Sequence, residues 1–303
     1  MKVLVTGGAG FVGTNLIKRL LSDGCEVFAI DNYSTGFRKN EQEGCHYYYE
    51  DVSNKYFWCL GNKDECEVTC DCEIEKPDLI FHLAALARIQ PSFKNPQEVF
   101  ENNVLGTQNV LNYARDKNVP VVYAGSSTAH GDHFANPYSF TKRQGELLCE
   151  MYNKVFKLPT VTTRFYNVYG EHQILEGAYA AVIGIFEKQY SDGKTLTVTG
   201  DGEQRRDFTH VQDIVDGLVR CGNTLVTDDS YKISGKTFEL GRGVNYSINE
   251  ITEMFGQEEV EYIPARPGEM RVTLCESVEA RKLLGWNPTI DIKDYIQNFV
   301  GKN

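Results

Sequence analysis

Apolar, β-branched residues come in short runs at 3–6, 27–30, 79–83, 119–124 and 161–165, each of strand length and bounded by turn formers or polar residues. Between them lie amphipathic stretches at 14–22, 96–117 and 137–156, where apolar side chains return at the spacing of one helix face. This alternation predicts an α/β fold built on a doubly wound parallel sheet. Beyond Asn167 the alternation weakens and glycine, proline and turn pairs increase. A smaller C-terminal α/β lobe is expected there, with helices over 211–219 and 278–284 and a strand at 238–240 returning to the sheet. The expected division is a sheet domain over 1–166, with a return segment near 209–242, and a substrate lobe from 167–208 and 243–303.

Candidate chemistry begins directly after the first run. Gly7, Gly10 and Gly13 stand in a G-x-x-G-x-x-G turn between a strand and a helix, with Phe11 and Val12 inside it. Glycines there let the backbone turn tightly and approach a pyrophosphate at a helix N-terminus, so the sheet is read as a Rossmann domain. The second strand ends at Asp31 about twenty residues on, where a carboxylate accepts from ribose hydroxyls and repels a 2′-phosphate. NAD is therefore expected rather than NADP. The competing reading has Asp31 simply capping the turn from Asn32 to Gly36.

A second constellation carries acid–base potential. Tyr138 and Lys142 lie four apart on one face of a helix, and Ser126, Ser127 and Thr128 end the strand before it. A nearby ammonium, helped by an oxidised nicotinamide, lowers a phenol's pKa so that it can take a hydroxyl proton. Alone, such a pair is more often surface decoration. Here a dinucleotide turn, a hydroxyl-rich strand end and the pair occur in that order along one sheet.

Composition narrows the class. The net charge of -11 over 303 residues argues against non-specific nucleic-acid binding. No run approaches the apolar length of a membrane span, and the start of the chain lacks a secretory pattern, so a cytoplasmic location is expected. Nine cysteines, an odd number in a long chain, suit reduced thiols. Cys66, Cys70 and Cys72, with Cys59 nearby, lack a second ligand pair and sit among acidic residues, so no metal site is expected.

The motifs together resemble the extended short-chain dehydrogenases. They run through Gly7–Gly13, Asp31-Asn32, Asp51-Val52, His82–Ala85, Asn103 to Thr107, Ser126–Thr128, Tyr138 to Lys142, Arg164–Asn167, Gly200–Phe208 and Arg266–Glu269, covering nearly the whole chain. The pattern is most similar to the nucleotide-sugar epimerase/dehydratase branch, and within it to the UDP-hexose 4-epimerases. The resemblance implies Thr128, Tyr138 and Lys142 as catalytic residues. It implies NAD contacts from Gly7, Gly10, Phe11, Val12, Gly13, Asp31, Asn32, Ser34, Thr35, Gly36, Asp51, Val52, Leu83, Ala84, Ala85, Ala87, Asn102, Asn103, Ser126, Tyr138, Lys142 and Phe165. Asn167, Thr197, Val198, Arg206, Arg266, Glu269 and Thr273 would hold a UDP-sugar. His82 is expected as a satisfied core histidine, and His210 and Asp213 at the junction of the lobes.

Dehydratases and UDP-glucuronate decarboxylases of this branch usually carry acidic residues just after the serine/threonine motif. Here Ala129 and His130 stand there, which favours 4-epimerisation over those alternatives, while the intact Tyr138 and Lys142 argue against a silent NAD-binding regulator. Only residues 129–137 separate the motif from Tyr138, where the family has a longer loop, so one wall of the sugar pocket is expected to be short. Thr273 is small enough to imply acceptance of UDP-N-acetylhexosamines. The helices over 96–117 and 137–156 resemble those that form a four-helix bundle between two subunits, implying a homodimer.

Overall fold

A computed structural model describes residues 1–59, 74, 76–257 and 259–302. The chain runs β1 (Lys2–Thr6), α1 (Phe11–Ser22), β2 (Glu26–Asp31), β3 (Cys45–Tyr49), β4 (Leu79–His82), α2 (Ile89–Lys94), α3 (Pro96–Phe100), α4 (Gly106–Lys117), β5 (Val121–Ser126), α5 (Pro137–Phe156) and β6 (Thr160–Phe165). It continues through β7 (Val168–Tyr169), α6 (Val182–Ser191), β8 (Leu196–Thr199), β9 (Arg205–Asp207), β10 (Thr209–His210), α7 (Val211–Leu225), β11 (Thr237–Leu240), β12 (Asn245–Ser247), α8 (Ile248–Met254), β13 (Val260–Ile263), α9 (Glu279–Leu284) and α10 (Ile292–Val300).

Seven strands form one sheet in the order β11-β6-β5-β4-β1-β2-β3, and every pairing in it is parallel. It is a doubly wound Rossmann-like sheet. The switch in strand order falls between β1 and β4, where such folds open a crevice at the strands' C-terminal ends. In β1, Val3 and Val5 enter the core shared with Leu16 of α1 and Leu218 of α7, whereas Leu4 enters the opposite core with Val110 of α4 and Tyr123. Burial on both faces explains why β1 reads as a continuous apolar run. A third core, with Phe186, Ile251, Phe255, Ile292 and Ile296, lies under the C-terminal segments.

The boundaries depart from the expected ones for physical reasons. β5 starts at Val121 rather than 119, because Pro120 has no N–H to give; its carbonyl accepts from Ile80 N instead. The helix expected over 96–117 is interrupted by a π turn at Glu101–Leu105. β3, α2 and α6 were not foreseen. The α7 helix reaches Leu225, and α5 occupies the span predicted for it. Asn136 caps α5 by accepting from Ser139 N at 2.8 Å, and Pro137 fills the first position. Cys66, Cys70 and Cys72 lie outside the described residues. Among the described residues no helix is long and apolar enough to cross a membrane.

Candidate active site

The crevice is a cleft of about 470 Å³. Its floor is the turn after β1: Gly7, Gly10, Phe11, Val12 and Gly13 all line it. Gly7 has φ +75, and a Cβ there would stand 2.8 Å from Ala84 N. A Cβ on Gly13 would come within 2.1 Å of Gly7 O. Only glycine permits this turn. The resulting bare backbone at the head of α1 fits a dinucleotide pyrophosphate.

At the end of β2, Asp31, Asn32, Ser34 and Thr35 face the cleft. The Asp31 carboxylate accepts from Ala9 N at 2.9 Å and Tyr33 N at 2.7 Å. It caps the turn and lines the cleft at once, so the two readings of this residue are not exclusive. Its remaining acceptor capacity can take ribose hydroxyls. Burial raises its pKa, and the backbone N–H groups pull the other way.

Val52, Leu83, Ala84, Ala85, Ala87 and Asn102 also line the cleft. Four expected contacts lie off its wall. Gly36 packs on Ala9, where a Cβ would be 2.8 Å from the Ala9 carbonyl carbon. Asp51 sits behind Asn32, accepting from its Nδ2 at 2.7 Å and from Ser53 N at 2.8 Å. Asn103 is buried as a tether, accepting from Leu86 N at 2.8 Å and donating to Leu86 O and to Thr141 Oγ1 of α5. Val198 points into the C-terminal core, leaving its neighbour Thr197 on the wall. His82 is a satisfied core residue between Thr6 Oγ1 and Thr107 Oγ1. Burial, aided by Lys142, pushes it down to about 3.

Ser126, Thr128, Tyr138, Lys142 and Phe165 meet at the centre. Thr128 Oγ1 donates to Ser126 Oγ at 3.0 Å, and the Tyr138 phenol donates to the same oxygen at 3.3 Å. Three hydroxyls thus converge where a sugar oxygen can join them. Burial raises Tyr138, outweighing help from Ser126 and from the cation of Arg88. Lys142 turns its ammonium to Ala124 O at 2.5 Å and stands 4.4 Å from the centre of the Tyr123 ring. Burial lowers it to about 8, with Glu146 opposing.

The far end holds Asn167, Thr197, Arg206, Arg266, Glu269 and Thr273. Asn167 Nδ2 donates to Thr273 Oγ1 at 2.9 Å, joining two of them. Arg206 lies 3.8 Å from Glu269, and burial lowers its pKa. The short 129–137 loop packs directly on the segment carrying these groups: Asn136 Nδ2 donates to Gly268 O at 3.2 Å, and Met270 lies over Gly131. His130 is engaged by the carboxylate of Glu239. Sequence reasoning missed Arg88, Met270 and the apolar wall at 178–186. Arg88 follows directly on the expected contact Ala87 and was legible from that proximity, whereas the wall carries no chemical signal.

A parallel sheet with a bare glycine turn facing a carboxylate, and a Tyr–Lys helix beside it, defines a dinucleotide-binding α/β protein. Comparison with known proteins carries this further. The profile described as "NAD dependent epimerase/dehydratase family" matches residues 3–234, and the chain belongs to that family. It is 31% identical over 319 residues to the UDP-glucose 4-epimerase of Mycolicibacterium smegmatis, covering 99% of this chain and 97% of that one. It is 27% identical to UDP-glucuronic acid decarboxylase 1 of Danio rerio, over 97% of this chain and 70% of that one. Among solved structures it resembles the UDP-glucose 4-epimerase of Thermotoga maritima with UDP-glucose. That match has a TM-score of 0.87 and 25% identity, over 99% of this chain and 98% of that one. The family is thus one of NAD-dependent enzymes that includes both epimerases and enzymes that remove groups from the sugar.

Proposed function

We propose that the protein is an NAD-dependent epimerase that inverts C4 of a UDP-hexose or UDP-N-acetylhexosamine. The observation that carries this reading is the convergence of the Tyr138, Ser126 and Thr128 hydroxyls beside the glycine turn, without a carboxylate at positions 129 and 130. NAD, when bound, supplies the chemistry of accepting a hydride and giving it back. Tyr138 takes the O4 proton as C4 becomes a ketone and returns it after the sugar has presented its other face. Thr128 holds O4 by a hydrogen bond. Arg206 and Arg266 suit the diphosphate, and Glu269 suits ribose hydroxyls. Asp31 selects NAD by accepting from the adenosine ribose. Since hydride leaves and returns, no net oxidant is consumed. Thr273, small and on the cleft wall, supports acceptance of a 2-acetamido group.

The test is incubation with UDP-glucose, UDP-galactose, UDP-GlcNAc and UDP-glucuronate without added cofactor, with products resolved by chromatography and mass. A product isobaric with its substrate is expected. Loss of water or of carbon dioxide would instead assign a dehydratase or a decarboxylase. Undetectable turnover of UDP-GlcNAc beside good turnover of UDP-glucose would remove the role of Thr273.

A further inference from the structure

We propose that His130 is a positioning residue for Thr128: clasped to Glu239, it fastens the short turn after β5 across the end of the sheet and so fixes the hydroxyl that meets O4. The inference rests on the reading of Thr128 as the O4 partner and deepens it.

The short loop creates the need for such a device. Thr128 stands on a single 3₁₀ turn, Ser127–His130, that follows β5 directly. Ser126 Oγ accepts from Thr128 N at 3.3 Å, and Thr128 O accepts from Gly131 N at 3.1 Å. One turn of this kind has little stability of its own. The far end of the 129–137 loop is tied down at Asn136, which caps α5 and donates to Gly268 O at 3.2 Å. The near end is tied by His130, whose Nε2 donates to Glu239 Oε1 of β11. In the sheet, β6 lies between β5 and β11. The contact therefore reaches over one whole strand, a span of about 10 Å.

The anchor is itself fixed. Glu239 Oε1 also accepts from Arg164 Nη1 of β6 at 3.3 Å, and its Oε2 accepts from the Tyr166 phenol at 3.0 Å. Glu239 and Arg164 are largely buried, whereas His130 is exposed. An exposed partner of this kind adds little to the stability of the fold; what it sets is the place of the turn that carries it. The His130 ring stands 6.3 Å from that of Tyr166, between centroids, beside the segment that brings Phe165 and Asn167 to the cleft. His130 lies off the cleft wall that Ser127 and Thr128 line, so it acts through Thr128 and not on the sugar. A hydroxyl that must meet O4 at hydrogen-bond distance loses its effect when it is displaced by about 1 Å.

The test separates position from binding and from folding. His130→Ala is expected to lower kcat with UDP-glucose about tenfold, with KM held within about twofold and the melting temperature unchanged. His130→Gln, whose amide can still donate to Glu239, should recover most of the loss. In a Thr128→Val background, which lacks the hydroxyl, removing His130 should cost nothing further. Losses that multiply in the double variant would overturn the proposal, as would a rise in KM at unchanged kcat. So would a fall in kcat that tracks a lower melting temperature in both His130 variants, since the clasp would then be a brace for the fold alone. Full turnover by Thr128→Val, or none by the wild type, would remove the reading on which the proposal rests. A slow Thr128→Val enzyme beside an unimpaired His130→Ala removes only the assignment to His130.

Discussion

Tyr138 and Lys142 show how far burial works against the charges that a reaction needs. Lys142 is almost wholly enclosed, and its pKa falls from the ordinary 10.5 to about 8. The unfolded chain therefore binds this proton more tightly, and Lys142 makes stability rise with pH between about 8 and 10.5. Below that window the protonated ammonium costs the fold up to about 3 kcal/mol. Lys142→Met should accordingly be harder to unfold in urea at pH 7 while losing activity, with the gain over wild type shrinking as pH rises through the window. A less stable variant at pH 7 would show that the contacts to Ala124 and Tyr123 outweigh the cost of burial. At Asp31 burial likewise works against the charge, offset in part by backbone N–H groups, and the carboxylate faces the cleft. Asp31→Ala should weaken NAD about tenfold to a hundredfold and leave NADP little changed, as read by calorimetric titration. An equal loss for both cofactors would mean that only the turn had collapsed.

At the scale of elements, α5 is braced by charge as well as by its cap. Glu146 pairs with Arg164 of β6 through contacts of 3.0 and 2.8 Å and with Arg143 at 3.0 Å. Arg164 continues to Glu239 of β11 at 3.3 Å, and Glu239 engages His130. Removing Glu146 leaves the mostly buried Arg164 guanidinium with only its longer contact to Glu239, so Glu146→Gln should lower the unfolding free energy by about 2 kcal/mol. The double variant Glu146→Leu/Arg164→Met should recover much of that loss. A single-variant change below about 1 kcal/mol would place the pair among ordinary surface bridges.

Elements with strong local signals were legible from sequence: β1 by its unbroken apolar run, the glycine turn by its spacing, α5 by its periodicity. β3 was not, because CHYYY is an edge strand with half-exposed aromatics and no aliphatic alternation. α2 hides behind Pro91 and its six residues. Asn102 and Asn103 could not be told apart because the π turn shifts the helical phase there, sending one to the cleft and the other into the core. Spacing also placed Lys142 on the correct face without revealing which acceptor its ammonium would find.

On the whole molecule, the two helical layers beside the cleft leave apolar side chains in water. Leu147, Met151 and Val155 recur every four residues along α5, and Phe100 and Leu105 stand on the neighbouring helical stretch, all exposed. That stretch packs along α5, so the paired helices present one apolar stripe to solvent, larger than scattered surface residues require. A two-fold axis through such a face makes every contact occur twice and closes a four-helix bundle. We expect a homodimer, seen by sedimentation at micromolar concentration as about twice the 34.2 kDa chain. Met151→Glu/Val155→Glu puts four carboxylates into the closed face and should give a monomer with unchanged far-ultraviolet dichroism. Because the cleft lies at the strand ends and only the first turn of α5, with Tyr138, reaches it, the monomer should keep NAD binding while unfolding at lower temperature. A wild-type species of 34.2 kDa alone under these conditions would leave the stripe without this partner.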